Sequence, residues 1–300
     1  MAILACNDLK YLYSVGTPFE TAAIHGINFE AEEGDIVGII GHTGSGKSTF
    51  IQHLNGLLKP HEGTVFFDGK NIWSKENEKN IRAVRFAVGL CFQYPEHQIF
   101  EDDIFKEISF GPKQMGLDEE EIKARVYESM QFVGIDRALE HKSPFDLSGG
   151  QKRRVAIASI IAMRPQVLIL DEPCAGLDPQ GRETVLSMIK NYQKTMGNTV
   201  LFVSHSMEDV AKICEKVLVL NQGTVAMYGS VADVYSRGNE LKNMGLNVPQ
   251  VTEIFLKLKE AGVDCSTSIF TVEAAEEEIK RLQKTGQLPP QKVKGGAAND

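Results

Sequence analysis

The stretch IVGIIGHTGSGKSTFIQHLNGLL, residues 36–58, constrains this chain more than any other. A short apolar run, a glycine-rich turn and a helix-like segment follow one another without a gap, which predicts strand, loop and helix in that order. Its centre, GHTGSGKS at 41–48, matches G-x-x-x-x-G-K-S at every fixed position. Gly41, Gly44 and Gly46 let the backbone close around a polyphosphate, with N–H groups presented at a helix N-terminus whose dipole favours anions. Ser45 and Thr49 belong to the same cradle. Lys47 would reach the β- and γ-phosphates, and the Ser48 hydroxyl would ligate Mg²⁺. A glycine turn with a chance Lys-Ser would lack these flanks. His42 occupies a variable position, and the seven histidines show no ligand spacing.

Further apolar runs, TVFF (64–67), VLIL (167–170), TVLFV (199–203) and VLVL (217–220), end at polar or glycine clusters with helical patterns between several of them. A sheet buried on both faces needs such runs, so the class is α/β. Residues 117–140 read as helix, with acids in the first turn. From about 231 the texture changes to short amphipathic helices separated by Gly and Pro. The expected organisation is a nucleotide-binding domain over 1–230, a helical extension over 231–288 that dimerises, and a flexible tail over 289–300.

With 42% hydrophobic residues, 24% charged residues and a net charge of −8, the chain reads as soluble and globular, without the broad basic surface a nucleic-acid partner requires. Five scattered cysteines suggest neither disulfides nor a zinc site, and a reducing cytoplasm suits them. No signal peptide is recognisable at the start, and no apolar run approaches the roughly 18 residues of a membrane span. A role at a membrane would therefore need another chain as anchor.

VLILDEP at 167–173 places two acids at the end of an apolar strand, a costly place for charge unless a cation or a reaction uses it. Asp171 would serve Mg²⁺, and Glu172 would polarise an attacking water. LSGGQ at 147–151 then supplies a second set of bare amides, since Ser148, Gly149, Gly150 and Gln151 open another helix-like run. One ATP cannot easily use two such sites in one compact domain. Two subunits placed head to tail, each capping the other's nucleotide, solve this economically.

On these motifs the chain resembles the ATP-binding cassette family over roughly 1–230. The resemblance implies a phosphate-loop core of the RecA type with an antiparallel β subdomain and a helical subdomain. It implies that Gln93 senses Mg²⁺ and the γ-phosphate and couples to a membrane partner, that Asp178 in GLDP lies at the dimer interface, and that His205 contacts the γ-phosphate and orients Glu172. Tyr13 would stack on adenine, with Tyr11 as the competing choice. Cys174 departs from the usual Thr or Ser and reads as a small buried residue.

The segment CFQYPEHQIFEDDIFKEISFGP at 91–112, with GTPFE at 16–20 and the helical tail, is similar to the ATPases of energy-coupling-factor importers. That resemblance implies a heterodimer with a paralogous ATPase, a transmembrane coupling protein whose helical arm lies beside the glutamine loop, and substrate-binding membrane subunits that take up vitamins or metal ions. It places the chain at the cytoplasmic face of the membrane. Pro95 is expected to end the strand before it, and Glu96, Asp102 or Asp103 to receive a basic residue of the arm. The competing readings are the ATPase of an ordinary importer and a soluble ATP-driven switch. Against the switch, no sustained heptads separate Lys47 from Ser148.

Overall fold

The computed structural model describes residues 2–288; the tail expected at 289–300 lies outside them. Strands β1 (Ala2–Tyr13) and β2 (Thr21–Glu32) lead into β3 (Ile36–Ile40), the glycine-rich turn and helix α1 (Lys47–Leu54). Then come β4 (Glu62–Phe67), β5 (Lys70–Asn71), α2 (Ile81–Ala87) and β6 (Val88–Cys91). Helices α3 (Ile104–Gln114), α4 (Glu119–Phe132) and α5 (Gly149–Ile161) precede β7 (Val167–Asp171) and α6 (Pro179–Met196). The unit closes with β8 (Thr199–Val203), α7 (Met207–Ile213), β9 (Lys216–Asn221) and β10 (Thr224–Ser230).

Two sheets result. One is four-stranded and antiparallel, in the order β2-β1-β4-β5. The other is six-stranded, in the order β10-β9-β3-β8-β7-β6, parallel except for the edge strand β10. Every residue of β3, β6, β7 and β8 is buried, which is why those segments run almost wholly apolar instead of alternating, with Thr199 at the start of β8 and Asp171 at the end of β7 as the polar exceptions. Helix α1 carries Phe50, Ile51 and Leu54 into a core shared with Leu4 and Ile27 of the first sheet and Ile39, Ile169 and Leu201 of the second. The helix that begins at the glycine-rich turn is thus wedged between both sheets. Gly38, mid-strand in β3, admits α7 so closely that a Cβ there would lie 2.6 Å from Val210.

The helix expected over 117–140 is shorter. Asp118 caps α4 by accepting from the Glu121 N–H at 2.9 Å, but the helix stops at Phe132. Gly134 then takes a left-handed turn, φ 64°, and Asp136 caps a separate 3₁₀ turn at Arg137–Leu139. Pro95 also differs from expectation. The strand β6 already ends at Cys91, and Pro95 instead opens a 3₁₀ turn, Pro95–Gln98. Helices α3, α4 and α5 pack on one another as a layer of their own.

A second compact unit begins at Ala232. It holds all but the first residue of α8 (Val231–Ser236), then α9 (Gly238–Asn243), α10 (Gln250–Glu260) and α11 (Val272–Lys284), and Phe255, Cys265, Ile269, Ala275 and Leu282 form a small core. Among the described residues no helix is long and apolar enough to cross a membrane.

Candidate active site

Strand β3 delivers the chain to Gly41, and the turn that follows bends back on itself through the Ser45 N–H to His42 carbonyl bond, 3.1 Å. Gly46 precedes α1 with φ 98°, and a Cβ there would stand 2.8 Å from the Ala23 carbonyl oxygen, so both conformation and space demand glycine. At Gly44, φ 81°, a Cβ would meet no atom within 4 Å; that side of the turn is open. The Lys47 ammonium is buried and donates to the carbonyls of Gly41 (2.6 Å) and His42 (3.1 Å). Burial lowers its pKa, against the pull of Glu172 and Asp171. Beside it the Ser45 hydroxyl is buried without a hydrogen-bond partner. An open turn of amides, an unsatisfied hydroxyl and a buried cation facing only carbonyls suit a polyphosphate.

Asp171, the last residue of β7, accepts from the Ser48 hydroxyl at 3.4 Å. Its carboxyl is raised by burial and drawn back by Ser48 and Lys47. Glu172 leaves the strand in the left-handed region, φ 51°, held there by its N–H donating to the Val203 carbonyl at 3.0 Å. Its Oε1 is buried, lies 3.3 Å from His205 Nε2 and has no well-aligned hydrogen bond. Burial pushes this carboxyl up to about 7, only partly offset by the His205 backbone N–H and Lys47. His205, just past β8, is lowered by burial and by Lys47. An acid shifted up beside a histidine shifted down is a pair able to exchange or hold a proton near neutral pH.

Tyr13 stands at the end of β1, 40% exposed, with its hydroxyl 3.1 Å from the Thr49 hydroxyl. Tyr11 is half-buried, its ring packed against Tyr13, His53 and His61. Only the first offers an open ring face next to the phosphate loop. Gln93 is exposed on the bend before Pro95, and among the described residues no hydrogen bond joins it to Ser48 or Asp171.

The second glycine turn is built differently. Ser148 caps α5 by accepting from the Gln151 N–H at 3.3 Å, while the Gln151 side chain accepts from the Ser148 N–H at 3.0 Å. The Gln151 carboxamide is therefore engaged within its own helix start. At Gly149 and Gly150 an added Cβ would meet nothing within 4 Å. Asp178 likewise caps α6, accepting from the Gly181 N–H at 2.6 Å, and is exposed.

Of the acids beside Gln93, Glu96 is not free to receive an incoming base. Arg153 of α5 holds it with two hydrogen bonds, and the two side chains are 3% and 14% exposed. Asp103 is committed to capping α3 and pairs with Lys106. Asp102, 78% exposed, pairs with Lys106 at 2.8 Å and is the accessible one of the three. Next to them lies a mostly apolar groove of about 530 Å³ lined by Arg82, Phe86, Phe100, Phe110, Gln114 and Met163, among others. Sequence reasoning missed Arg153, which the KRR run at 152–154 hides among residues of a surface type. It also read His42 as without a role, yet Nε2 of that ring sits 3.1 Å from Asn221 Oδ1 and braces the phosphate loop against the end of β9. Cys174 is buried, and burial pushes its thiol up to about 12.

Two glycine turns at two helix starts, one of them with a buried lysine interacting with the Asp171 and Glu172 carboxylates, are the construction of a cassette-type ATPase. Residues 24–175 match the family described as ABC transporter. The energy-coupling factor transporter ATP-binding protein EcfA2 of Clostridium perfringens (strain 13 / Type A) is 52% identical over 277 residues, covering 92% of this chain and 96% of that protein. Its namesake from Caldanaerobacter subterraneus subsp. tengcongensis is 49% identical over 275 residues, 92% and 96% of the two chains. A solved structure of cbiO1 from Clostridium perfringens, described as part of the ABC transporter complex cbiONQ, superposes with a TM-score of 0.72 at 37% identity, covering 87% of this chain and 97% of that one. The dimeric cassette MJ0796 bound to ADP and Pi superposes at 0.68 with 25% identity, covering 76% and 98%. The chain belongs to the ATP-binding cassette ATPases and, within them, to the energy-coupling factor transporter ATP-binding proteins.

Proposed function

We propose that this chain hydrolyses ATP as one half of a head-to-tail dimer and so drives solute uptake through an energy-coupling-factor importer, from the cytoplasmic face of the membrane. The observation that carries this is an asymmetry within one subunit. The buried Lys47 and Asp171, the half-buried Glu172 and the exposed His205 converge on one open glycine turn, while beside the equally open turn at Gly149 and Gly150 the nearest lysine, Lys152, is not buried under the turn but lies with its ammonium 6.0 Å from the Phe145 ring. Each half is then completed by the other subunit.

In this reading the amides of 41–46 and Lys47 bind and orient the β- and γ-phosphates, and Thr49 holds the Tyr13 ring where adenine stacks. Ser48, Asp171 and Gln93 would hold Mg²⁺, which neutralises phosphate charge when bound. Phosphates and water complete such a site, so it needs few protein ligands, and among the described residues no cluster of three metal-binding side chains is found. Glu172, once ionised, aligns the attacking water and takes its proton; His205 fixes the carboxylate and contacts the γ-phosphate. The turn at 148–150 caps the nucleotide of the other subunit, with Gln151 shaping that helix start instead of reaching out from it. Closure follows ATP binding because only the closed dimer makes the second set of γ-phosphate contacts.

The other subunit is a paralogous ATPase, with Asp178 at the interface and the helical extension adding to the contact. The apolar groove beside Gln93 receives a helical arm of a transmembrane coupling protein, which also serves substrate-binding membrane subunits. Purifying the tagged chain from gently solubilised membranes of its own host tests the reading. A related ATPase, one multi-span protein and several small membrane proteins should accompany it. A single dedicated permease pair would instead indicate an ordinary importer, and the absence of any membrane protein would overturn the proposal.

A further inference from the structure

Arg153 belongs to the helix that begins at the second glycine turn, yet its guanidinium is buried and reaches two other segments at once. Its Nε donates to Glu96 Oε2 at 3.0 Å and its Nη2 to Glu96 Oε1, gripping the Pro95–Gln98 turn. Its Nη1 donates to the carbonyls of Pro173 (3.3 Å) and Ala175. The Ala175 N–H in turn donates to the Glu172 carbonyl at 3.1 Å, so the guanidinium fastens the backbone turn that immediately follows the hydrolytic carboxylate. Tyr94, in a left-handed conformation (φ 54°), lays its ring 5.8 Å from the same guanidinium. Only a planar fork with several fixed donors serves a carboxylate on one side and two carbonyls on the other; a lysine is a single point donor.

We infer that Arg153 is a positioning residue for hydrolysis, transmitting displacement of the Pro95–Gln98 turn to the backbone behind Glu172. A shift of Glu96 must move the guanidinium or break a buried, fully paired contact, and either event alters the hydrogen bonds at Pro173 and Ala175. The inference rests on the reading of Glu172 as the hydrolytic carboxylate. It gives the glutamine-loop turn a route to that residue that does not pass through the nucleotide.

The test uses the full-length chain assembled with its partner subunits, with Glu96→Gln and Arg153→Gln made singly and together. Each single variant should lower ATP turnover about tenfold with KM for ATP changed by less than about twofold, and the double should be no slower than the worse single, as expected of one shared contact. Hydrogen–deuterium exchange in Glu96→Gln should quicken over 172–178 and stay unchanged over 41–50. Unchanged turnover in a folded Glu96→Gln, losses that multiply in the double variant, or unchanged exchange over 172–178 would each overturn the inference. The exchange readout on Glu96→Gln stands even where Arg153→Gln fails to fold. Full turnover in Glu172→Gln would sink the underlying assignment of Glu172 instead, leaving the exchange result to judge the linkage separately.

Discussion

Glu172 concentrates the physics of the site. A non-glycine residue in the left-handed region costs on the order of 1–3 kcal/mol, and here the bond from its N–H to the Val203 carbonyl holds it in place. The turn swings the carboxyl out of the strand line toward His205. Because burial raises the acid to about 7, hydrolysis by the chain should climb as pH rises through that value and the carboxylate forms. Stability has the opposite slope. The folded state retains a proton that the unfolded state has released, so this group's contribution falls as pH rises from the ordinary carboxyl value of 4.5 through about 7. Glu172→Gln should therefore abolish turnover, by roughly a hundredfold or more, yet melt no lower than the unaltered chain at pH 8. Lys47→Ala should fail differently: light scattering with ATP and the partner ATPase present should find Glu172→Gln in a persistent dimer and Lys47→Ala as separate subunits.

At the scale of elements, α1 and α5 both begin at glycine turns but are secured by different means. Helix α1 depends on Gly46, whose Cβ position is filled by the Ala23 carbonyl. Gly46→Ala should destabilise by more than about 1 kcal/mol, since it adds a clash to an unfavourable φ, and should lose nucleotide binding in a titration. Helix α5 depends on the reciprocal Ser148 and Gln151 bonds. Gln151→Ala should cost about 1 kcal/mol in denaturant unfolding. The same style of capping explains why several acids near the glutamine loop are unavailable to a partner: Asp103 is spent on α3, and Glu107 accepts from the Phe100 and Glu101 N–H groups.

For the whole molecule, the informative feature is what the sheets leave uncovered. The parallel sheet is apolar because it is covered on both faces, but the layer of α3 to α5 leaves the groove lined by Phe100 and Phe110 open. Those rings meet edge to face at 5.0 Å and form a preformed apolar lining, which an arm of the proposed coupling protein would cover. Phe110→Asp should reduce recovery of membrane subunits in the co-purification about tenfold or more, as expected for an anchor at a small interface.

Sequence alone determined the class of sheet, the phosphate loop, the paired acids and the second glycine turn, because each is carried by residues adjacent in the chain. Runs of four or five apolar residues suit strands buried on both faces, and the spacing of the glycines with Lys47 and Ser48 is read along the chain without knowing that the Ala23 and Leu220 carbonyls crowd Gly46 and Gly41. Only the tertiary structure decided which of Tyr11 and Tyr13 keeps an open ring, since His53 and His61, far along the chain, cover the former. It also ended α4 at Phe132, where the left-handed turn at Gly134 overrode a pattern that reads as helix through residue 140. Glu96 and Arg153 illustrate the limit most clearly. Each looks like an ordinary surface charge, and they become a buried pair only when the fold brings α5 against the turn after β6, because charge pairing over that separation leaves no periodic trace in the chain.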